Sequence, residues 1–337
     1  MNKLPALFMV IIVIGLLLVM TVGRCADEEE ASIGMAVEFT DHAACAYIGH
    51  DKGWFEEEGL KINAYENYTT GMALAAALAR GDIQVAYICL VPAINVYANA
   101  GVPIKVVAGT HKYGYGLVVN HEKIKTVKDL EKTDIRIGCV QLGGVADVML
   151  HKTIDEYGLD QDKVLNNVQR MNPAQQVLAI KTGQLDAAFL PEHWTTMAEE
   201  HDFEILLTTQ DVWPGMQGSV LVVKDDLIDN NPEVVRKLVE VSKRANEWAN
   251  QYPQEAAEVM ARQLQAASDA ISPSGVAEVV AKLEITPEVL LRSMGRLEYT
   301  TDIDAKIVQD TIDYLVELGY INKSFIAEDI LDLRYLS

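Results

Sequence analysis

Two short stretches of this chain carry the residue types that hold anions. Thr69-Thr70-Gly71 and Leu142-Gly143-Gly144-Val145 each join hydroxyl or unhindered backbone donors to the start of an apolar helical pattern. The first turn of a helix leaves its N–H groups unbonded and forms the positive end of the macrodipole. A negative group there gains about 0.3–1 kcal/mol, more when partly buried. Plain capping and turn chemistry would use the same residues. Other polar candidates sit just past strand-like runs: Thr40 and His42, Cys89, His111 and Lys112, then Glu192, His193 and Trp194. His42, His111 and Lys112 could bring positive charge to a cleft, although a lone His is as often a hydrogen-bonded structural residue. Tyr113, Tyr115 and Trp213 could wall an apolar or planar ligand part, and core packing explains them equally.

No Ser-His-Asp order, metal triad or cofactor lysine can be picked out, so no catalytic residue, cofactor or metal is expected. Beyond Cys25 the cysteines are Cys45, Cys89 and Cys139, with no CxxC and no zinc-type Cys/His spacing. They read as small buried hydrophobes. A thiol–metal site stays open as the alternative, because all three fall near loops that would line a cleft.

These residues need elements to position them. Short apolar runs alternate with helical patterns from Ser32 onward, which argues for α/β layers. Expected strands are Ile33–Glu38, Lys61–Tyr65, Ile83–Tyr87, Ile104–Gly109, Gly116–Val119, Ile135–Cys139, Asn167–Met171, Leu185–Leu190, Phe203–Leu207 and Ser219–Val223. Helices are expected over Met72–Ala79, Val91–Ala100, Val145–Tyr157 and Ala174–Lys181. After Lys224 the pattern turns helical: Pro232–Asn250, Pro253–Gln265, Gly275–Leu283, Pro287–Arg292 and Ile303–Leu318, several opened by Pro or a polar cap.

One unit recurs. Thr70 precedes Gly81 by eleven residues, as Asn172 precedes Gly183, and Asp82–Tyr87 matches Gln184–Phe189 in character. Coincidence between two ordinary αβ turns is one explanation. The other is a pair of similar lobes whose strand ends face a shared crevice, where open α/β sheets bind ligands. Residues 32–117 with 216–337 would form the first lobe and 118–215 the second, with crossings at Gly114–Asn120 and Gly215–Val223.

Composition excludes one class outright. In 337 residues, 28 Lys and Arg face 49 Asp and Glu, a formal net charge of −21. Nucleic acid needs a basic footprint that such a body lacks. Half the residues are hydrophobic, enough for a sizeable core. Between Lys3 and Arg24 runs an uncharged, Leu/Ile/Val/Met-rich stretch from Leu4 to Gly23. As a helix it would reach about 30 Å, a bilayer core. Behind a basic end and ahead of Asp27-Glu28-Glu29-Glu30, residues 1–25 read as an export signal or membrane anchor. Val22-Gly23-Arg24-Cys25 is similar to the bacterial lipoprotein pattern, with Cys25 as the lipidated residue, although Arg24 departs from it. Either way an extracytoplasmic domain tethered to the membrane is expected.

The stretch Ala46–Leu60, reading AYIGHDKGWFEEEGL, resembles a segment of ABC-transporter substrate-binding proteins in the nitrate/sulfonate/taurine class, which also holds thiamine-pyrimidine-precursor-like binders. Ala77–Ile83, Pro92–Ile94, Gly101–Ala108, Thr126–Leu130 and Gly183–Phe189 are similar to later blocks in the same order. The resemblance implies a type II periplasmic-binding fold: two α/β lobes, a two-segment hinge and a helical C-terminal region. It implies a small-molecule ligand between the lobes, a monomer, a membrane permease and a separate ATPase subunit, consistent with the absence of a GxxxxGK[ST] loop here. It also places ligand contacts in the loops holding Thr40, His42, Thr69, Thr70, Gly71, Cys89, His111, Lys112, Gly143, Gly144, Val145, Glu192, His193 and Trp194. The chain departs from its relatives where Pro191 precedes Glu192 and Trp194 follows it. A carboxylate there would repel a simple oxyanion such as nitrate unless it faced His193 or a ligand amine. The expected cargo is therefore a partly anionic, sulfonate-like organic solute. The alternative is an enzyme or binder of a pyrimidine or other heterocyclic thiamine precursor on the same fold. A sensor domain is a third, weaker option.

Overall fold

The computed structural model describes residues 32–81, 83–268, 277–280 and 283–336. The leader and Cys25 lie outside them, as do residues 275, 276, 281 and 282 of the helix expected over Gly275–Leu283. Among the described residues, no helix is long and apolar enough to cross a membrane. The strands are β1 (Ser32–Glu38), β2 (Lys61–Tyr68), β3 (Val85–Cys89), β4 (Ile104–Gly109), β5 (His111–Lys112), β6 (Tyr115–Val119), β7 (Ile137–Cys139), β8 (Val168–Arg170), β9 (Ala187–Pro191), β10 (Glu204–Thr208), β11 (Ser219–Lys224) and β12 (Glu298–Tyr299). They build two five-stranded sheets, ordered β2-β1-β3-β11-β4 and β10-β6-β9-β7-β8, and a two-stranded pair of β12 and β5. In each five-stranded sheet, a parallel core (β2-β1-β3 and β8-β7-β9) is flanked by an antiparallel strand that arrives from the other sheet's side of the chain. This is the architecture of a periplasmic binding protein.

The helices used below are α1 (Ala44–Asp51), α2 (Gly71–Arg80), α3 (Leu90–Ala100), α4 (Val145–Glu156), α5 (Pro173–Lys181), α6 (Glu192–Glu199), α7 (Pro232–Gln251), α8 (Pro253–Ala267), α9 (Pro287–Met294) and α10 (Ala305–Glu317). Strand alternation sorts the core. Met35, Val37, Tyr87, Leu221 and Val223 join the cluster that holds Tyr47, Ile48, Val235 and Leu238 of α1 and α7. Their neighbours Ala36, Ala86, Ile88, Val220 and Val222 join Leu74, Leu78 and Ile94 of α2 and α3 on the opposite face. Burial on both faces explains why these strands read as continuous apolar runs.

The recurring unit is present in the backbone. Thr70 caps α2 by accepting from the Ala73 amide, and Gly81 ends it at φ 104°. Asn172 caps α5 by accepting from Gln175, whose side chain returns the bond, and Gly183 follows the helix at φ 68°. A parallel strand starts four residues after each glycine. The chain passes between sheets through 110–114 and 209–218, and these passages pair with each other: Tyr113 N donates to Met216 O (3.0 Å) and Gly218 N to His111 O (3.1 Å). β6 therefore pairs wholly within the second sheet and β11 within the first. α1 and α6 were not anticipated, because neither has a polar side-chain cap; α6 follows β9 directly and α1 is preceded by a short 3-10 turn at Asp41–Ala43.

Asp186, in the second copy of the unit, is buried and binds Arg136 (Nε, 2.8 Å) and Lys123 (Nζ, 2.5 Å). Burial pushes its carboxyl up, but the bonds from Arg136 and Lys123 outweigh this and hold it down at about 2. A depressed carboxyl stabilises the fold fully above its unfolded pKa of about 3.9 and loses that contribution as pH falls through the folded value. Allowing for solvent screening of the half-exposed Lys123 and Arg136, Asp186→Asn should cost about 1–2 kcal/mol at pH 7. In urea titrations the variant should also show a shallower loss of stability than the parent between about pH 4 and 2.

Candidate functional site

The carboxyl ends of the parallel strands of both sheets meet at one cavity of about 430 Å³, its mouth included. Glu38 and Thr40 reach it from the end of β1, Thr69 and Thr70 from β2, Cys89 from β3, Val140 and Gln141 from β7, and Pro191 from β9. Gly71, Pro92, Val145, Pro173 and Trp194 bring the first turns of α2 to α6 to the same space. Five helix N-termini thus converge on it, each with a positive dipole end, while side-chain caps already hold the Ala73 and Gln175 amides of two of them. No Lys, Arg or His side chain lines it among the described residues. Tyr115, Met72, Trp194 and the prolines supply apolar surface.

Among the described residues, Glu38 is the one carboxyl on the wall. Its Oε1 accepts from the Cys89 amide (2.7 Å) and its Oε2 from Cys89 Sγ (3.1 Å). Burial raises it to about 7 against the lowering effect of those two bonds. Gly71 must stay small for this arrangement, since a Cβ there would stand 2.3 Å from Glu38 Oε1 and 2.6 Å from Pro92 Cγ. The two sides touch lightly across the cavity, Gln141 Nε2 donating to Thr70 Oγ1 (3.3 Å) and Asn95 Nδ2 to Gly143 O (3.3 Å).

A model of the NMT1-like family matches residues 26–265. The chain belongs to that family. Its sequence is 24% identical over 212 residues to the taurine-binding periplasmic protein of Escherichia coli, covering 61% of this chain and 63% of that one. The alkanesulfonate-binding protein SsuA of Xanthomonas axonopodis pv. citri, solved with MOPS bound, superposes with a TM-score of 0.73 at 16% identity, over 90% of this chain and 98% of that one. A ligand-binding component of an ABC-type import system from Staphylococcus aureus, solved with zinc bound, gives 0.71 at 16% identity, over 90% and 97%. These relatives are binding proteins, not enzymes.

Within this NMT1-like chain, the expected residues Thr40, Thr69, Thr70, Gly71, Cys89, Gly144, Val145 and Trp194 line the cavity. His42, His111, Lys112, Gly143, Glu192 and His193 do not. His42 lies buried behind the wall, its Nε2 2.7 Å from Gly114 O. His111 is buried against it with ring centroids 4.3 Å apart, and accepts at Nε2 from the Ser219 amide (3.2 Å). Burial holds both imidazoles below their ordinary range, His42 at about 4, so neither supplies positive charge. Lys112 pairs with Glu298 (2.6 Å) along β5 and β12, and Gly143 turns the chain at φ 74°. His193 meets Thr40 Oγ1 (3.2 Å) and lies 3.7 Å from Asp41 Oδ1. Glu192 turns away to Arg296, so the carboxylate that faces the ligand space is Glu38 instead. Glu38, Pro92 and Pro191 were missed. The available signal for Glu38 was an acid closing the otherwise uncharged, largely apolar run Ile33–Val37.

Proposed function

We propose that this chain is the extracytoplasmic solute-binding component of an ABC importer, tethered through its N-terminus by lipid or peptide. It captures a small, partly anionic, sulfonate-like organic solute between two lobes divided near residues 117 and 215, and delivers it to a permease. The convergence of five helix N-termini on one cavity carries the reading. Fixed helix dipoles, with the Thr69 and Thr70 loop and Gln141, suit the oxygens of a sulfonate where, among the described residues, no Lys, Arg or His side chain lines the wall. Tyr115, Met72 and Trp194 suit its carbon chain, and Glu38 suits a donor such as an amine at its far end. The names of the Escherichia coli and Xanthomonas relatives, taurine and alkanesulfonate binders, support the same class.

Thermal unfolding of the chain with taurine, a simple alkanesulfonate and nitrate tests it. A solute at ~100 times its Kd adds about 2.7 kcal/mol, which for a domain of this size is a rise in Tm of about 4 °C. Such a shift is expected with a sulfonate and not with nitrate. No shift with either sulfonate, together with one from a heterocyclic amine, would transfer the site to the precursor-binding alternative.

A further inference from the structure

Beyond the solute contacts, one group of side chains at the cavity wall has a different chemistry. Glu38, His42 and Cys89 come from the end of β1, the turn after it and the end of β3, and their donor atoms lie within 4.8 Å of one another. All three residues are buried. We propose that they form a zinc site at the base of the cleft, with a carboxylate oxygen of Glu38, Nδ1 of His42 and Sγ of Cys89 as ligands and a fourth position open to the cavity.

The distances lie on either side of those of such a site, so a bound ion would draw the ligands together by small side-chain shifts. With Zn–S near 2.3 Å and Zn–N or Zn–O near 2.0 Å, tetrahedral ligands stand about 3.5 Å apart. Cys89 Sγ lies 3.8 Å from His42 Nδ1 and 3.1 Å from Glu38 Oε2. The outer partners are also in place. A contact of 2.7 Å between His42 Nε2 and a carbonyl, that of Gly114, requires the proton on Nε2. That tautomer leaves Nδ1 with its lone pair on the side of Cys89, the arrangement in which a ligating imidazole is held by its other nitrogen. Around Sγ, Ser219 Oγ donates at 3.2 Å and Tyr115 OH lies at 3.1 Å, so two hydroxyls can support a thiolate. Zinc would displace the thiol proton, and any proton on Glu38, into water. A thiolate, a carboxylate and a neutral imidazole then balance its two positive charges inside a buried site.

The open position follows from what lines the cavity. Glu38 and Cys89 are on its wall with Thr40 and Tyr115, whereas His42 is behind it. The exposed coordination site therefore points to where the solute is held. That the fourth ligand is a solute oxygen rests on the reading above; the three-residue site does not.

The test uses the chain without any histidine tag, stripped with chelator and free of solute. Titration with Co²⁺, read by absorption, should give one equivalent with a thiolate-to-metal charge-transfer band, and Zn²⁺ should displace it. Cys89→Ser should abolish the band. Glu38→Gln, which keeps the shape of the wall, should weaken Co²⁺ at least tenfold with an unchanged circular dichroism spectrum. Cys139→Ser should change nothing. A folded parent that takes up no Co²⁺, or whose uptake is untouched by Cys89→Ser and Glu38→Gln, overturns the site. Because no solute is present, that result leaves the sulfonate assignment standing, and a chain that binds zinc but no sulfonate separates the two the other way.

Discussion

Replacing Gly71 by Leu should lower affinity for the tightest-binding sulfonate at least a hundredfold, about 2.7 kcal/mol, by titration calorimetry. Gly71 is the first residue of α2, and its α-carbon faces the Glu38 carboxyl and the Pro92 ring. Even a Cβ overlaps Glu38 Oε1 at 2.3 Å, so the new side chain can go only into the cavity or displace the acid that lines it. Either outcome removes room for a solute and pushes the α2 amides away from it. Helix propensity improves in the exchange, so the far-ultraviolet circular dichroism spectrum should be retained. Undiminished affinity in the Leu variant would place the solute elsewhere.

The second large effect is on stability. Glu192 is buried at the start of α6, where burial raises its carboxyl above the ordinary range and the Arg296 guanidinium opposes that rise. Arg296 also donates to Thr196 Oγ1 and to Glu199 (3.1 Å), joining α6 to the segment after α9. Arg296→Met leaves the acid without its counter-charge. Breaking a buried pair from one side costs about 3–5 kcal/mol, reduced here because Arg296 is partly exposed and Glu192 can protonate. A loss of about 3 kcal/mol, or a fall in Tm of about 5 °C, is expected. The double variant Arg296→Met with Glu192→Gln should recover part of it. A single variant as stable as the parent would mean that the pair contributes nothing net.

Much of this fold was legible in the residues. Each expected strand is present; the central ones were plainest, because strands covered on both faces are apolar throughout and need no alternation to be seen, as in Val85–Cys89 and Ala187–Pro191. The paired units were legible because Thr70, Asn172, Gly81 and Gly183 mark helix ends by chemistry that acts locally. The cavity loops followed from the strand ends. What stayed hidden depends on where side chains turn. His42, His111 and Glu192 follow strands as expected, yet each rotates into the interior to meet Gly114, Ser219 or Arg296, and the last of these is 104 positions distant. Glu38 entered the sequence reading only as the end of a strand, since nothing in its neighbours announces that Gly71 and Pro92 close over it.

The two passages between the sheets form a narrow ribbon, widened where Glu298 and Tyr299 pair with Lys112 and His111. A ribbon of this kind bends easily about one axis and resists sliding and twisting. If the cavity admits a solute as proposed, its opening would be chiefly a single rotation about that ribbon, like a door on one pin. With the third strand drawn from beyond α9, a load applied to the C-terminal helices would be felt at that pin without passing through the cargo itself.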